Sequence, residues 1–263
     1  MNKSLVFYDE SFPYEGSRPN IQFLQEANHT IANAANLERF LQDEAYSCFI
    51  HLHGPYFPLD AWQAILNYLK KGNGFVHLGG VPFRKPVSKV DGEWHVNQER
   101  LAYHQQIYIH EVQPIDVSLV STMTVCPEIE FFAKYASLFT VEPTYGFMFH
   151  TTKTNDRPSE WASGGAIDVL IHPLLKYAEA DGREIAAPVL LMEHTKACFQ
   201  GGRWLLCNLL VRDVFWSDGG YEALKDWGIY CSKGVTELSL KPNYATYYNG
   251  ERVQITIQTQ NLS

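Results

Sequence analysis

Short apolar runs alternate with segments of helical periodicity along the first third of the chain. Residues 5–8, 47–53 and 74–80 are apolar runs of strand length, and the apolar positions between residues 60 and 70 repeat with a helical period. Asp60 is the predicted N-cap of that helix. A strand, a helix and a strand at this spacing form a βαβ unit, in which the two strands are parallel. The pattern predicts a doubly wound, mostly parallel α/β sheet.

The other predicted elements are less regular. Asp91-Gly92, between two alternating runs, is the strongest hairpin pattern in the chain, and Gly201-Gly202 indicates a second hairpin. The remaining predictions are helices over residues 21–42 (with a break near Asn28 and His29), 128–139 and 221–230, and extended segments over residues 87–96, 107–119, 185–194 and 198–208. The extended residues in the middle of the chain predict a β insertion in the α/β core.

The composition changes after Gly234. Residues 235–240 and 252–259 alternate as two strands, and Asn249-Gly250 lies in the turn between them. These residues are too few for an independent β-sandwich. We therefore expect two units: an α/β domain over residues 1–233, and β strands over residues 234–263 that open a truncated immunoglobulin-like sandwich. The alternative is that these strands pack on the main domain.

One continuous stretch, residues 51–83, resembles a known superfamily. It reads HLHGPYFPLDAWQAILNYLKKGNGFVHLGGVPF, with a glycine-containing loop after one strand, a helix that ends at glycine, and a strand that leads into a sharp elbow. This order resembles the class I glutamine amidotransferase-like fold, and more closely its non-catalytic branch, such as the trimerisation domain of bacterial β-galactosidases. The resemblance covers residues 1–230 in outline. It implies a flavodoxin-like sheet, a multidomain bacterial carbohydrate-processing parent, contacts with other domains of that parent, and a homo-oligomer.

The elbow departs from the catalytic pattern. An amidotransferase needs a cysteine there, whose pKa is lowered by a helix N-terminus and a histidine. This chain has Gly79-Gly80 after Leu78, and its His172-Pro173 is followed by leucine where the active family has glutamate. We therefore predict a non-catalytic module that serves as a scaffold, in oligomerisation, or in binding a small polar ligand or sugar.

Composition excludes several classes of partner. The chain has 263 residues, 46% of them apolar, and a formal charge of −8 without a run of basic residues, which argues against nucleic acid and anionic membranes. No apolar run is long enough for a transmembrane helix. The five cysteines have no metal-binding spacing, so we expect free thiols, a reducing cytoplasmic compartment, no metal and no cofactor.

Several polar residues are predicted to meet beyond the carboxyl ends of the strands, where open α/β sheets bind ligands. His51 and His53 are two apart on one strand and therefore share a face. The full set of predicted ligand-binding residues is Asp9, Glu15, His51, His53, His77, Gly79, Gly80 and Arg84. The simpler alternatives are buried histidines bonded to backbone carbonyls, a tight glycine turn and a surface arginine.

Glu193 and His194 are the weak catalytic candidates, because a carboxylate beside an imidazole can act as an acid–base pair. They end a predicted strand, which suggests an alternative function: a glycosidase- or esterase-type hydrolase with its site at the strand carboxyl ends. Aromatic residues in loops and hairpins are suited either to stacking on sugar rings or to core packing. They are Tyr14, Tyr56, Phe57, Trp94, Tyr103, Tyr108, Trp161 and Trp216.

Overall fold

A mixed eight-stranded sheet forms the centre of the chain. The structure is a computed structural model that describes residues 3–27, 29–150, 168–244 and 246–262. Its strands are β1 (Lys3–Phe7), β2 (Thr30–Ala32), β3 (Tyr46–His51), β4 (Tyr56–Pro58), β5 (Gly74–Leu78), β6 (Lys85–Val90), β7 (Glu93–Val96), β8 (Ile109–Pro114), β9 (Thr122–Val125), β10 (Tyr145–Phe149), β11 (Val169–Ala178), β12 (Glu184–His194), β13 (Arg203–Cys207), β14 (Thr236–Pro242) and β15 (Ile255–Asn261). Its α-helices are α1 (Ile21–Glu26), α2 (Leu37–Leu41), α3 (Trp62–Lys70), α4 (Leu101–Gln105), α5 (Glu130–Ala133), α6 (Asp213–Ser217) and α7 (Gly220–Ser232).

The spatial order of the large sheet is β2-β1-β3-β5-β13-β12-β11-β9. The first five strands are mutually parallel. The last three, β12, β11 and β9, each run antiparallel to the strand before them. The chain is therefore an α/β protein with a parallel half and an antiparallel half, as the alternation of elements predicts for its first part.

Helices cover both faces of the parallel half. On one face, the apolar side of α3 packs on residues such as Phe49 and Phe75. On the other face, α7 packs on Ile50 and Val76, the next residues along the same strands. Side chains of a strand alternate between faces, so both sets are buried and the strands read as continuous apolar runs. The predicted βαβ unit is confirmed as β3-α3-β5 with parallel strands.

Three predictions about helices were wrong. Asp60 does not cap α3, because a 3₁₀ turn (Leu59–Ala61) precedes the helix and Ala61 stands at its N-cap. The predicted helix over residues 21–42 contains a strand, β2, between two short helices. Three residues are too few to show a strand period, and β2 exists because it pairs with β1. The predicted helix over residues 128–139 is α5 followed by a 3₁₀ turn.

The hairpin predicted at Asp91-Gly92 is confirmed, but the one predicted to turn at Gly201-Gly202 is wrong in its first arm, where residues 197–199 form a 3₁₀ turn. β6 and β7 pair antiparallel around Asp91 and Gly92, which both have positive φ, at 50° and 90°. That geometry is the one a tight two-residue hairpin requires. β12 and β13 form the second pair. Among the described residues, no helix is long and apolar enough to cross a membrane.

β14 and β15 form a separate antiparallel ribbon. The alternation of the pair places Leu238, Leu240, Ile255 and Ile257 on one face, and these side chains are 55–64% exposed. The opposite face carries polar residues such as Gln258. The ribbon is thus amphipathic, with an apolar face open to solvent.

Candidate functional site

The strands β1, β3 and β5 end at one edge of the sheet, which we call the carboxyl edge. His51 is the last residue of β3 and pairs with His77 of β5. Their imidazoles have no exposed surface and stack with ring centroids 5.3 Å apart. The structure therefore brings these two predicted site residues together, but it buries them.

Hydrogen bonds fix the protonation of this pair. His77 Nε2 lies 3.1 Å from the carbonyl oxygen of Gly80, so it donates a proton there. His77 Nδ1 is then the acceptor, and His51 Nδ1 donates to it at 3.3 Å. Burial lowers the pKa of His77 to about 4 and holds that of His51 well below its usual value. Both rings are therefore neutral at pH 7.

His53 positions the loop after β1. Its Nδ1 donates to the carbonyl oxygen of Pro13 at 2.9 Å, and its Nε2 accepts from the amide of Asp9 at 2.9 Å. Burial lowers the pKa of His53 to about 4. The ring is also packed against the aromatic side chains of Phe7, Tyr8, Phe12 and Tyr14. Both ring nitrogens are therefore occupied by the backbone, which matches the simpler alternative for this residue.

The carboxylate of Asp9 is likewise engaged in hydrogen bonds within the protein. One of its carboxylate oxygens accepts from the amide and hydroxyl of Ser11, at 2.9 and 2.6 Å, and the other accepts from the amide of Ala34 at 3.2 Å. Burial raises its pKa, but these hydrogen bonds outweigh burial and keep the pKa below its usual value. Asp9 therefore holds the loop in place as a carboxylate.

Gly79 and Gly80 form a tight turn at the carboxyl edge, with φ of 90° and 64°. The amide of Gly79 donates to the carbonyl oxygen of Cys207 at 2.9 Å. A Cβ on Gly54 would stand 2.8 Å from the carbonyl oxygen of Gly79, so these two backbones approach too closely for side chains. The glycines therefore allow two backbone segments to approach closely, and they place no nucleophilic side chain at the elbow.

Three predicted site residues share a small pocket of about 90 Å³: Glu15, Gly80 and Arg84. Arg84 Nε pairs with Glu99 at 2.9 Å, and its guanidinium lies 5.7 Å from the ring centroid of Tyr145. The pocket has room for only a few atoms, which suits an ordered water or a small ion more than a sugar ring.

Glu193 and His194 do not join this site. The expectation that they lie at the carboxyl edge was wrong, because β12 runs antiparallel to the parallel strands. Glu193 pairs with Arg203, the first residue of β13, and the next residue, Trp204, pairs with Phe75 near the start of β5. Both candidates are therefore at the opposite edge from the histidines.

The two candidates also lie on opposite faces of the sheet, as neighbouring strand residues must. Glu193 Oε1 accepts from Arg203 Nε and Nη2 at 2.9 and 2.8 Å, and its Oε2 is 3.3 Å from His172 Nε2. His194 lies among Trp204 and other aromatic rings, without a hydrogen-bond partner in the described part of the chain. Burial lowers its pKa to about 3. Glu193 is thus engaged in a structural ion pair, and His194 is a neutral core residue.

Several loop aromatics also belong to the core. Phe57 is fully buried, and Tyr103 packs edge-on against both Phe57 and Trp62. Trp216 donates to the carbonyl oxygen of Ser17 at 2.6 Å. Trp161 lies outside the described residues. Within those residues, no group of three or more His, Cys, Asp or Glu side chains is placed to bind a metal ion.

Sequence reasoning missed a larger cleft, of about 540 Å³, between the loop after β1 and the β6–β7 hairpin. Trp94 was among the candidate aromatics, but Arg18 and Lys89, which line the cleft with it, were not singled out. The hairpin pattern at Asp91-Gly92 could have indicated part of it, because a two-residue turn there pairs Lys89 with Trp94. Nothing local to Arg18 indicates that it faces the same cleft.

Known proteins are similar to this chain only in fold. No family model matches it, and no curated protein is significantly similar in sequence. It is similar to a ThuA-like protein from Bacteroides uniformis (12% identity, 88% of this chain and 90% of that chain, TM-score 0.44) and a cytoplasmic protein from Salmonella typhimurium (9%, 88% and 99%, TM-score 0.45). It is also similar to part of a β-galactosidase from Bacillus circulans (8%, 92% of this chain and 33% of that chain, TM-score 0.41). Similarities of this size carry no functional argument.

Proposed function

We propose that this chain is a non-catalytic α/β module of the amidotransferase-like kind that serves a multidomain carbohydrate-processing protein as a scaffold and ligand-binding unit. One observation carries the proposal. The place where such a fold would hold its nucleophile is occupied by the backbone contact of Gly79 with Cys207 and by buried, neutral histidines. In this proposal the partners are other domains of a parent chain, a further copy of the chain, and a small polar ligand or sugar.

The strand order supports the fold assignment in this proposal. Numbered along the chain, the five parallel strands β1, β2, β3, β5 and β13 lie in the order 2-1-3-4-5. That order is the one of flavodoxin-like doubly wound sheets, whose ligands bind at the carboxyl edge. The antiparallel half extends this core on one side.

The state of two thiols on the parallel strands, Cys48 and Cys207, supports the absence of nucleophilic catalysis. Cys207 and Cys48 lie on strands of the sheet and have no exposed surface. Burial raises the pKa of Cys207 to about 12 and holds that of Cys48 well above its usual value. A thiol must ionise to act as a nucleophile, so neither group is poised for attack at pH 7.

Thiol labelling tests this proposal directly. With N-ethylmaleimide at pH 7.5, we expect the exposed Cys198 to react readily, and Cys48, Cys207 and Cys231 to react on the order of 1000-fold more slowly until guanidinium unfolds the chain. Peptide mass mapping gives the rate for each cysteine, and the double variant Cys126→Ser, Cys198→Ser, which replaces the two thiols that are not buried, is the control that removes the fast phase. In parallel, ammonia release from glutamine should equal that of buffer. A fast-reacting Cys207 together with glutamine hydrolysis that Cys207→Ser abolishes would overturn the proposal.

The hydrolase alternative makes a different prediction in the same preparation. It requires turnover of aryl glycosides or aryl esters that is lost in Glu193→Gln while the fold remains intact. The ion pair of Glu193 with Arg203, in which Nε and Nη2 both donate to Oε1, opposes this role, because the carboxylate would have to leave its partner to meet a substrate. Turnover with this dependence on Glu193 would replace the non-catalytic proposal with the hydrolase.

We also propose that residues 234–263 are the first two strands of an immunoglobulin-like sandwich. The support is the apolar face of the β14–β15 ribbon, because in a sandwich such a face packs on the strands of a second sheet.

Polar substitution on that face tests its role. We expect the double variant Leu240→Ser, Ile257→Ser to lower the fluorescence of an added hydrophobic dye to roughly half, because a contiguous exposed apolar patch is removed. The free energy of unfolding of the α/β core should stay within about 0.5 kcal/mol, since these side chains are exposed. Lys241→Ser with Gln258→Ser on the polar face is the matched control. Equal dye binding by both double variants would contradict the proposal.

A further inference from the structure

An open cleft lies between the loop after β1 and the β6–β7 hairpin and is lined by aromatic, charged and hydroxyl side chains. Its volume of about 540 Å³ is within the usual range for small-molecule sites. Its position at the carboxyl-edge loops is the one where α/β sheets bind ligands. Its lining includes Ser11, Phe12, Arg18, Lys89, Glu93 and Trp94.

A chain of hydrogen bonds fixes the aromatic wall of this cleft. Trp94 Nε1 donates to the hydroxyl of Ser11 at 3.1 Å, and that hydroxyl donates to Asp9 at 2.6 Å. The indole also packs edge-on against Phe12, with ring centroids 5.0 Å apart. Asp9 is in turn held by the buried His53, so the wall is anchored to the sheet. The indole is therefore oriented before any ligand arrives, which lowers the entropic cost of binding.

Two cations, Arg18 and Lys89, line the same cleft without a direct ion pair among the described residues. Arg18 donates to the backbone carbonyls of Glu10 and Phe12, at 3.2 and 3.0 Å, and Lys89 Nζ lies 5.0 Å from the ring centroid of Trp94. Among the described residues, neither forms an ion pair with a carboxylate. In a chain with a net charge of −8, a cleft in which two cations outnumber the one carboxylate, that of Glu93, favours an anion.

The remaining groups narrow the anion to an acidic sugar. Glu93 adds one carboxylate to the wall, which accepts hydrogen bonds from hydroxyl groups but repels a bare anion. Trp94 is partly exposed and adds apolar surface beside Lys89, against which C–H groups of a pyranose ring can pack. We propose that this cleft binds a uronate-containing saccharide, with the carboxylate at Arg18 and Lys89 and the hydroxyls at Glu93. This inference rests on the proposed ligand-binding role and names its substrate class.

Titration of the full chain with tri-galacturonate tests the assignment, at low ionic strength because exposed cations are screened by salt. The matched ligand is the methyl ester of the same trisaccharide, which keeps the rings and removes the charge. We expect calorimetry to show binding of the acid that is at least about tenfold tighter than that of the ester. Arg18→Gln and, separately, Lys89→Gln should each weaken binding of the acid about tenfold, as expected for losing a charge-assisted contact.

Variants outside the cleft control for charge and folding. Arg39→Gln removes a cation that also lies over an aromatic ring, that of Phe40, but away from the cleft, and should leave the affinity unchanged. Arg18 also bonds the backbone of the loop, so a thermal melt of each variant shows whether the loop is disturbed. If Arg18→Gln lowers the Tm, the affinity of Lys89→Gln is the result that tests the assignment. Equal affinity for acid and ester, no binding of either, or binding of inorganic phosphate alone would overturn the assignment. These results would leave the non-catalytic part of the proposed function intact, since that part fails only on turnover.

Discussion

Lowering the pH from 7 to 5 is expected to remove at least about 6 kcal/mol from the free energy of unfolding. Burial lowers the pKa of His53 and His77 to about 4, and that of His194 to about 3. In the unfolded chain these groups return to a pKa near 6.5. Each of these three histidines therefore lowers the free energy of unfolding by about 2 kcal/mol at pH 5. A typical domain has about 5–15 kcal/mol in total, so acid unfolding is expected well above the pKa of the carboxylates.

Stability falls with decreasing pH because the folded and unfolded chains bind different numbers of protons. Between about pH 6.5 and pH 4 the unfolded chain binds protons that the folded chain does not, so stability is complete above pH 6.5 and falls as the pH decreases through this window. Burial and the neighbouring His77 hold the pKa of His51 low as well, so this residue acts in the same direction. Urea unfolding at pH 7.5, 6 and 5 measures the effect.

His194 offers the cleanest variant. Its imidazole is fully buried against Trp204 and has no hydrogen-bond partner among the described residues, so His194→Leu removes a polar group without breaking a bond. We expect this variant to be about 2 kcal/mol more stable than the parent at pH 5 and to bind one proton fewer on unfolding. His95→Gln, at an exposed histidine of β7, is the control, and it should leave the slope of the free energy of unfolding against pH unchanged. An unfolding midpoint that is constant from pH 7.5 to 5 would show that the buried histidines are protonated in the fold.

Gly74→Ala is expected to destabilise the chain by about 3 kcal/mol. Gly74 begins β5 beneath α7, and a Cβ there would stand 2.6 Å from both the carbonyl carbon and the oxygen of Cys231. The obstruction is helix backbone, which cannot rotate away as a side chain can, so α7 must move from the sheet. Because α7 covers β1, β3 and β5 on one face, the effect reaches the whole parallel half.

Thermal melting measures this loss, which corresponds to a fall in Tm of on the order of 10 °C for a chain of this size. Gly182→Ala is the matched control: Gly182 has a φ of 85°, and a Cβ there would meet no other atom within 4 Å. This substitution should lower the free energy of unfolding by only about 1 kcal/mol, because alanine is disfavoured in the left-handed conformation. Equal losses in the two variants would show that the close approach of α7 does not require a glycine at position 74.

Elements with a local pattern could be predicted from the sequence. The β3-α3-β5 unit follows from two apolar runs and one helical period, and the β6–β7 hairpin from Asp91-Gly92. β2 was missed because its three residues are a strand only through their pairing with β1. β11 was missed for a related reason, since its ten residues contain Pro173 and lack regular alternation.

The candidate site could be predicted only in part. The sequence places His51 and His77 at the ends of neighbouring strands, and the structure confirms that they meet. The sequence does not show that both imidazole rings point into an aromatic core and form a hydrogen bond with each other. Arg18 and Trp94 are 76 positions apart, so no local pattern indicates that they line one cleft.

The sequence by itself determined the α/β class, the parallel pair at its centre and the glycine elbow without a cysteine, because each depends on residues close in the chain. Only the tertiary structure decided the direction of β12 and the chemistry of the buried imidazoles. An apolar run has the same period whether its strand is parallel or antiparallel, so Glu193 and His194 could not be assigned to an edge from the sequence. Likewise, the charge of a histidine depends on the dielectric and the hydrogen bonds around it, and these arise only when distant segments pack together.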